Sequence, residues 1–580
     1  MKRRLLSGVL VTILLTALLG VRPEQARAAG FVVNSDWDGA GAGDADFSDD
    51  ICSDSYGWCT LRAAIDQANA RSGIDAIAFA VPMTITIDAG MGALPAITDQ
   101  VTIDASGEAA AGRPGVTIDG AGGNFNGLRV VADACEIYGL HITNFGRDGF
   151  DIVSAFNKIG SANPNQRNVI SNNGRAGISF YGSTAHHNAA QNNWIGVELD
   201  GQTAAPNLVG VLLDGGAQDN LIGGEVAGTG NYISGNSSLG VYISGASHNN
   251  RLGDNVIGLT PVNGLPLSNT GCGVMVETGP QYTKIGVAPA RPNTIVHNGW
   301  HGIYLRNAAS GGVSHNIISD NAGDGVHVDG SAALGNDIFH NSIHDNGGKG
   351  IRLTNGGNAG LAAPVIAAAS ATGASGTACA GCSVYLYSDD EDEGEIYEGL
   401  AVANASGNWT YTSALNGPYV TATSTDASNN TSEFSAPRPI GVCGGPIPLT
   451  CGQQVSGDTI GYPNGCQSYD CSVWPSPESG PEVIYSLSLP AGGTWSFTAT
   501  LSSMSADLDV FVLSSSGCSS GQCLTPGSYG NEMVAVENVP GGQYYIAVDG
   551  YNGAAGSYML SVACSTESTL VYLPLVLRNQ

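Results

Sequence analysis

Glu277, Arg306 and Asp329 stand 29 and 23 residues apart, and Tyr304, His327 and Arg352 stand 23 and 25 apart. Brought together, these types have a definite chemistry. Arginine and carboxylates bond sugar hydroxyls or a uronate, while tyrosine faces stack on sugar rings. His327 could act as the base of a lyase-type proton abstraction. Candidate catalytic residues are therefore His327, Asp329, Arg306 and Glu277, and candidate ligand-binding residues are Tyr242, Tyr304 and Arg352. None of this holds unless each interval is one turn of a regular coil.

A repeat supplies the coil. Glycines 149, 177, 210, 240, 273, 302, 325 and 350 are each followed by an apolar residue: Phe150, Ile178, Val211, Val241, Val274, Ile303, Val326 and Ile351. Two further on come Ile152, Phe180, Leu213, Ile243, Val276, Leu305, Val328 and Leu353. Sixteen apolar positions at period two describe strands with one face inward. Asn173, Asn236, Asn269, Asn298, Asn321 and Asn346 each sit four residues before their glycine, and segments such as "NVISNN" and "NIISDN" place a second strand ahead of most of them. A side-chain amide at such a corner can bond the same amide one coil away, and Asn tolerates left-handed backbone. The glycine spacings run 28, 33, 30, 33, 29, 23 and 25, and two coil types alternate. Solenoids bulge such insertions out at their corners. The reading is a parallel β-helix with coils about 4.8 Å apart.

Outward positions follow by parity. Glu277, Arg306 and Asp329 fall on successive coils of one column, and Tyr304, His327 and Arg352 on the next. Two readings are open. One is a surface ion-pair ladder with Arg306 between two carboxylates, worth little energy. The other is a saccharide site. Carboxylates two coils apart would be separated by about 9.6 Å, at or beyond the upper end for an inverting glycosidase pair.

The N-x-I-x-x-N-x-x-x-G-[IV] skeleton, with "IGG" and "NWIG", resembles the right-handed parallel β-helix repeats of secreted bacterial proteins over residues 106–360. Handedness is implied by that resemblance. The Asn-Thr-Asp and Arg-x-Lys boxes of polygalacturonase-like β-helices are missing, and only His301-Gly302 survives; the Asp-Pro-His-Glu box of alginate epimerase-like coils is missing too. His297, His301, His340 and His344 fall at turns or strand ends, where a solvated role is expected.

The remaining segments frame the solenoid. Residues 1–28 have a basic head, an apolar run from Leu5 to Leu19 and an Ala-x-Ala site, as a secretory signal does; the run is short for a membrane span and no second one follows. Thirteen Cys in an exported chain point to disulfides, with "CAGC" a local bridge. "CTLRAAIDQANA" is a helix capped by Thr60, with Leu61, Ala64, Ile65 and Ala68 on one apolar face. It resembles the CSLREAI-type domain, which implies an N-terminal cap over residues 29–105 that plugs the first coil; Ala63 stands where that motif has Glu. Residues 364–437 alternate as antiparallel strands and look like a small immunoglobulin-like sandwich. Residues 443–565 are similar to the bacterial pre-peptidase C-terminal domain, a β-sandwich that implies an accessory role, and residues 566–580 form an apolar tail. No metal ligand set is evident. Calcium is the one cofactor open to the acidic stretches at 35–50 and 389–395, which are read first as solvated loops.

At net charge −29 the surface repels nucleic acid. The expectation is an all-β, exported or surface-attached monomer: a β-helix with a helical cap, followed by two antiparallel sandwiches. It binds extracellular polysaccharide or cell-surface glycan, or mediates adhesion. The missing boxes weigh against catalysis; an enzyme on this scaffold would be a polysaccharide lyase or glycoside hydrolase. A structural spacer without a ligand is the third reading.

Overall fold

The computed structural model describes residues 30–286, 291–370, 372–389, 393–416, 419–440, 446–460, 462, 480–513, 524, 529–530 and 533–566. The expected signal segment, Cys443, Cys466, Cys471, Cys518, Cys523 and residues 567–580 lie outside the described residues. Three parallel sheets of eleven, ten and nine strands run the length of a β-helix. The nine-stranded sheet holds the strand after each column glycine, from Leu128–Val130 through Ile303–Arg306 and Val326–Asp329 to Ile351–Thr354. The ten-stranded sheet holds the strand ahead of each Asn, such as Val169–Ser171 and Ile317–Ser319. The eleven-stranded sheet, built from pieces as short as Lys158–Ile159, is a third side that period-two patterning did not disclose.

Fifteen of the sixteen expected inward residues are buried; Leu353, on the last coil, is half-buried. The column glycines are explained by close approach. A Cβ on Gly240 would stand 2.5 Å from the Gly273 carbonyl oxygen, and one on Gly302 2.8 Å from that of Gly325. The asparagines form a ladder: Asn236 Nδ2 donates to Asn269 Oδ1 at 2.9 Å, Asn269 to Asn298 at 3.0 Å, and Asn298 to Asn321 at 2.9 Å. Left-handed backbone falls one residue earlier than expected, at Asn172, His297, Asp320 and Asp345. Two further ladders run through Asn168, Asn193, Asn231, Asn255, Asn293, Asn316 and Asn341, and through Asn157, Asn188, Asn220 and Asn250. The two 33-residue spacings each hold a protruding hairpin, closed at Val197–Ala204 and Leu259–Pro266, and Val262 N–H reaches the Gly201 carbonyl.

The parallel sheets begin at Gly30–Val33, well before residue 106, so the expected cap segment is itself solenoid. The helix Leu61–Ala70 packs into the same core, with Ala63 N–H donating to Thr60 Oγ1 at 3.0 Å. At the other end the first sandwich is the plug. Phe434 packs on the solenoid core, Ile343 bridges Gly394, and Glu393 Oε2 accepts from Asn346, ending the ladder. The core is thus closed by the helix near one end and by the sandwich at the other, where the bridge to Gly394 covers an open strand edge. This sandwich pairs Val365–Ser370, Gly373–Thr377 and Asn408–Tyr411 against a four-stranded sheet. The last sandwich is antiparallel except for Ile447–Leu449, which runs parallel to Val483–Ser488. Disulfides join Cys52–Cys59, Cys379–Cys382 and Cys451–Cys564.

Candidate functional site

In the nine-stranded sheet Glu277 registers with Arg306 and Arg306 with Asp329, while Tyr242, Met275, Tyr304, His327 and Arg352 follow one another on the neighbouring positions. Glu277 accepts hydrogen bonds from the Tyr242 hydroxyl and from Arg306 Nη1, both at 2.8 Å. Asp329 accepts from the Tyr304 hydroxyl at 3.0 Å, from Thr354 Oγ1 at 2.8 Å and from Asn355 Nδ2 at 2.7 Å. Arg306 therefore pairs with one carboxylate, not two; Asp329 is served by neutral donors.

Electrostatics follow from these partners. Burial first, then the bonded carboxylates, push the Tyr242 and Tyr304 phenols up to about 12. Burial also works to raise Asp329, but donation from Thr354, Asn355 and Tyr304 outweighs it and holds the carboxyl below its ordinary value. Neither phenol is a base near neutrality.

Tyr304 points outward from the sheet yet is 7% exposed. The rings of Trp300, His301 and His327 lie 5.3, 5.3 and 5.1 Å from its own, so it does not present an open face for stacking. Trp300, at the preceding corner, is 48% exposed and does. Cys272, Met275 and Tyr304 pack together with Tyr242 as an apolar seam along the outside of the sheet. Burial raises the Cys272 thiol to about 12.

Arg352 does not stand free beside the tyrosines: its Nε donates to Asp324 Oδ1 at 2.7 Å. Asp324 and His301 are the residues that sequence reasoning passed over. His301 is buried, not solvated, and burial depresses its imidazole to about 4. Its Nδ1 accepts the Asp324 backbone N–H at 2.9 Å, its Nε2 lies 3.2 Å from His327 Nδ1, and His327 Nε2 lies 2.8 Å from Thr354 Oγ1. The signal was present one residue before the glycine column, which reads Cys272, His301, Asp324 and Lys349 on successive coils. An echo exists at the start of the same sheet, where Arg175 pairs with buried Asp148 and Arg129 with buried Asp151.

In the acidic stretch near the N-terminus, carboxylates turn to nearby backbone: Asp44 accepts from Asp46 N–H, Asp46 from Ser48 N–H and Asp49 from Ile51 N–H. The loop at 389–395 lies partly outside the described residues. Among the described residues no helix is long and apolar enough to cross a membrane.

The late coils, which carry the site, match a family model. Residues 290–363 correspond to the right handed beta helix region. This β-helix region takes in His301, Arg306, Asp324, His327, Asp329 and Arg352. A comparison with curated proteins finds no match. Among solved structures, the β-helix is similar to the A-module of a mannuronan C-5 epimerase from Azotobacter vinelandii (16% identity, 50% of this chain and 94% of that one, TM-score 0.32). A tailspike protein of bacteriophage CBA120 is similar over 87% of this chain and 65% of its own (11% identity, TM-score 0.19). The pre-peptidase C-terminal domain of a Bacillus anthracis collagenase is similar over 20% of this chain and 94% of its own (15% identity, TM-score 0.14).

Proposed function

We propose that the chain is an exported, multi-module β-helix protein that binds extracellular glycan on the outer face of its nine-stranded sheet. The observation that carries this reading is the half-exposed Trp300 ring against Tyr304, whose hydroxyl bonds Asp329 in the outward row of Glu277, Arg306 and Asp329. An indole offers a large apolar face with a polar edge, and the Arg306 side chain, 49% exposed, can turn a donor to a hydroxyl or carboxylate of the sugar. The three disulfides among the described residues fit an oxidising compartment.

Binding is favoured over catalysis because the acid–base groups are already engaged. His327 has partners at both ring nitrogens, and Glu277 and Asp329 are each bonded to a phenol. A glycan array probed with the purified chain tests the reading. Trp300→Ala is expected to cost about 1–2 kcal/mol, roughly tenfold in affinity for whichever glycan is retained. An array without any retained glycan refutes binding and leaves the spacer. Unsaturated product or new reducing ends from a uronate polymer would instead make the chain an enzyme.

A further inference from the structure

We propose that His301, Asp324 and His327 form a binding site for a divalent first-row transition ion such as zinc. One ligand atom from each, two ring nitrogens and a carboxylate oxygen, converge within 4.8 Å of one another. His327 Nδ1 lies 3.2 Å from His301 Nε2 and 3.1 Å from Asp324 Oδ2. Zinc bonds to imidazole and carboxylate are about 2.0–2.2 Å long, so tetrahedral ligand atoms sit about 3.4 Å apart. The rings are nearly there.

A second set of contacts fixes the three side chains in place. Each of the three residues has its other polar atom held by a different partner. His301 Nδ1 accepts the Asp324 backbone N–H at 2.9 Å, and His327 Nε2 meets Thr354 Oγ1 at 2.8 Å. Asp324 Oδ1 accepts from Arg352 Nε at 2.7 Å and from Lys349 N–H at 2.9 Å. His327 and Asp324 are oriented as metal ligands are, one atom tethered and one presented; His301 is held in place by Nδ1, but in the tautomer that keeps its hydrogen on Nε2.

Protons alone serve the centre badly. With the Asp324 amide donating to Nδ1, a neutral His301 carries its hydrogen on Nε2 and donates to His327 Nδ1. Asp324 Oδ2 then faces that same nitrogen with no hydrogen between them. A proton placed on His327 Nδ1 serves Asp324 but opposes the His301 N–H. A cation among the three atoms accepts from all of them once the His301 proton has moved from Nε2 to Nδ1, where it faces Asp324 Oδ2 at 3.3 Å and the contact with the Asp324 amide is released. The donor set selects its class: two imidazoles and one carboxylate suit zinc, cobalt or nickel, whereas calcium and magnesium take oxygen ligands. Three protein ligands leave a position open for water or an exogenous group. The ion site does not depend on glycan binding.

The test is metal uptake by the full chain after chelator treatment. Cobalt(II) is titrated by visible absorption and zinc by calorimetry. The native chain is expected to show one equivalent of cobalt with ligand-field bands that equimolar zinc bleaches. His327→Gln and Asp324→Asn are expected to weaken uptake roughly a hundredfold or more with unchanged circular dichroism. His340→Gln, in the separate pair His315–His340 whose ring centres are 5.2 Å apart, is expected to leave it intact. A native chain without ligand-field absorption overturns the site whatever the variants do. So does uptake that survives His327→Gln and Asp324→Asn, or that disappears with His340→Gln.

Discussion

Replacing Gly240 by alanine tests the spacing of the coils directly. The new methyl would stand 2.5 Å from the Gly273 carbonyl oxygen, 2.9 Å from Ile257 Cγ2 and 3.0 Å from Asn269 Nδ2, against an ordinary contact of 3.4 Å or more. Two of these neighbours are held fast. The Gly273 carbonyl accepts the Val241 N–H at 2.9 Å, and Asn269 is a rung of the buried ladder. The coils must part by about 0.9 Å, estimated from the shortest contact, or the strand must tilt. Overpacking a core costs about 1–3 kcal/mol, and a strained inter-coil hydrogen bond adds about 1. Alanine restricts the unfolded chain and returns about 0.4–1 kcal/mol, so the net loss is about 2–3 kcal/mol. The matched control is Gly312→Ala, where a Cβ meets nothing within 4 Å; it should be neutral or slightly stabilising. Calorimetry of the solenoid transition, and urea unfolding followed by fluorescence, give the comparison. If the two substitutions fall within about 0.5 kcal/mol of each other, close approach is not why the column is glycine.

Three other perturbations have definite outcomes. Asn231→Leu removes the acceptor used by the Asn193 N–H and Nδ2 at 2.9 and 3.0 Å and the donor to the Ala190 carbonyl and Asn255 Oδ1; losing these four buried bonds should cost about 3–5 kcal/mol by urea unfolding, and a loss under about 1 would discount the ladder. Burial raises Asp337 to about 6, only partly opposed by Thr431, so the folded chain holds that proton longer than the unfolded one. Stability should therefore fall as pH climbs from about 4 to about 6 and stay reduced above, by about 1–2 kcal/mol after allowance for solvent screening; Asp337→Asn should flatten that part of the melting-temperature profile, and an unchanged profile would refute the assignment. Cys451–Cys564 closes 113 residues, so Cys564→Ser should cost the last sandwich about 4–5 kcal/mol of unfolded-state restriction, seen as a lower transition for that module while the solenoid transition stays put.

The sequence disclosed the wall of the solenoid better than its corners. Val326 and Ile303 were placed correctly because strand parity and a following glycine act together, and both demands are local. The Asn173 ladder was legible for the same reason, but Asn207, which belongs to it, sits three residues before Gly210 and broke the count. The ladders through Asn157 and Asn168 were hidden by unequal insertions between coils. Strands of two residues, such as Lys158–Ile159, are too short to show a period. At the site, the Glu277–Arg306 contact followed from register alone. The burial of Tyr304 did not, since it depends on Trp300 and His301 folding over from the corner. Asp324 and His301 lie one residue before the glycine, where the chain bends and parity stops predicting direction. The C-terminal plug was illegible because it depends on Phe434 and Glu393, remote in sequence from the coil they close.

The glycine column and the His301–Asp324–His327 cluster are mechanically one feature. His301 precedes Gly302 and Asp324 precedes Gly325, and a Cβ on Gly302 would stand 2.8 Å from the Gly325 carbonyl oxygen and 2.7 Å from Ile318 Cγ2. Gly302→Ala must therefore push apart the two coils that carry His301 and Asp324, whereas Gly240→Ala acts two coils away. In a solenoid each coil contacts chiefly its neighbours, so strain stays local. Both substitutions should lower stability by about 2–3 kcal/mol, but only Gly302→Ala should also weaken cobalt uptake, by roughly tenfold or more. Equal losses of uptake would mean that the cluster responds to global stability; no loss in either would mean that coil spacing does not set its geometry. The repeat then has two roles at once: it closes the core, and it holds residues 23 to 26 positions apart in sequence at bonding distance.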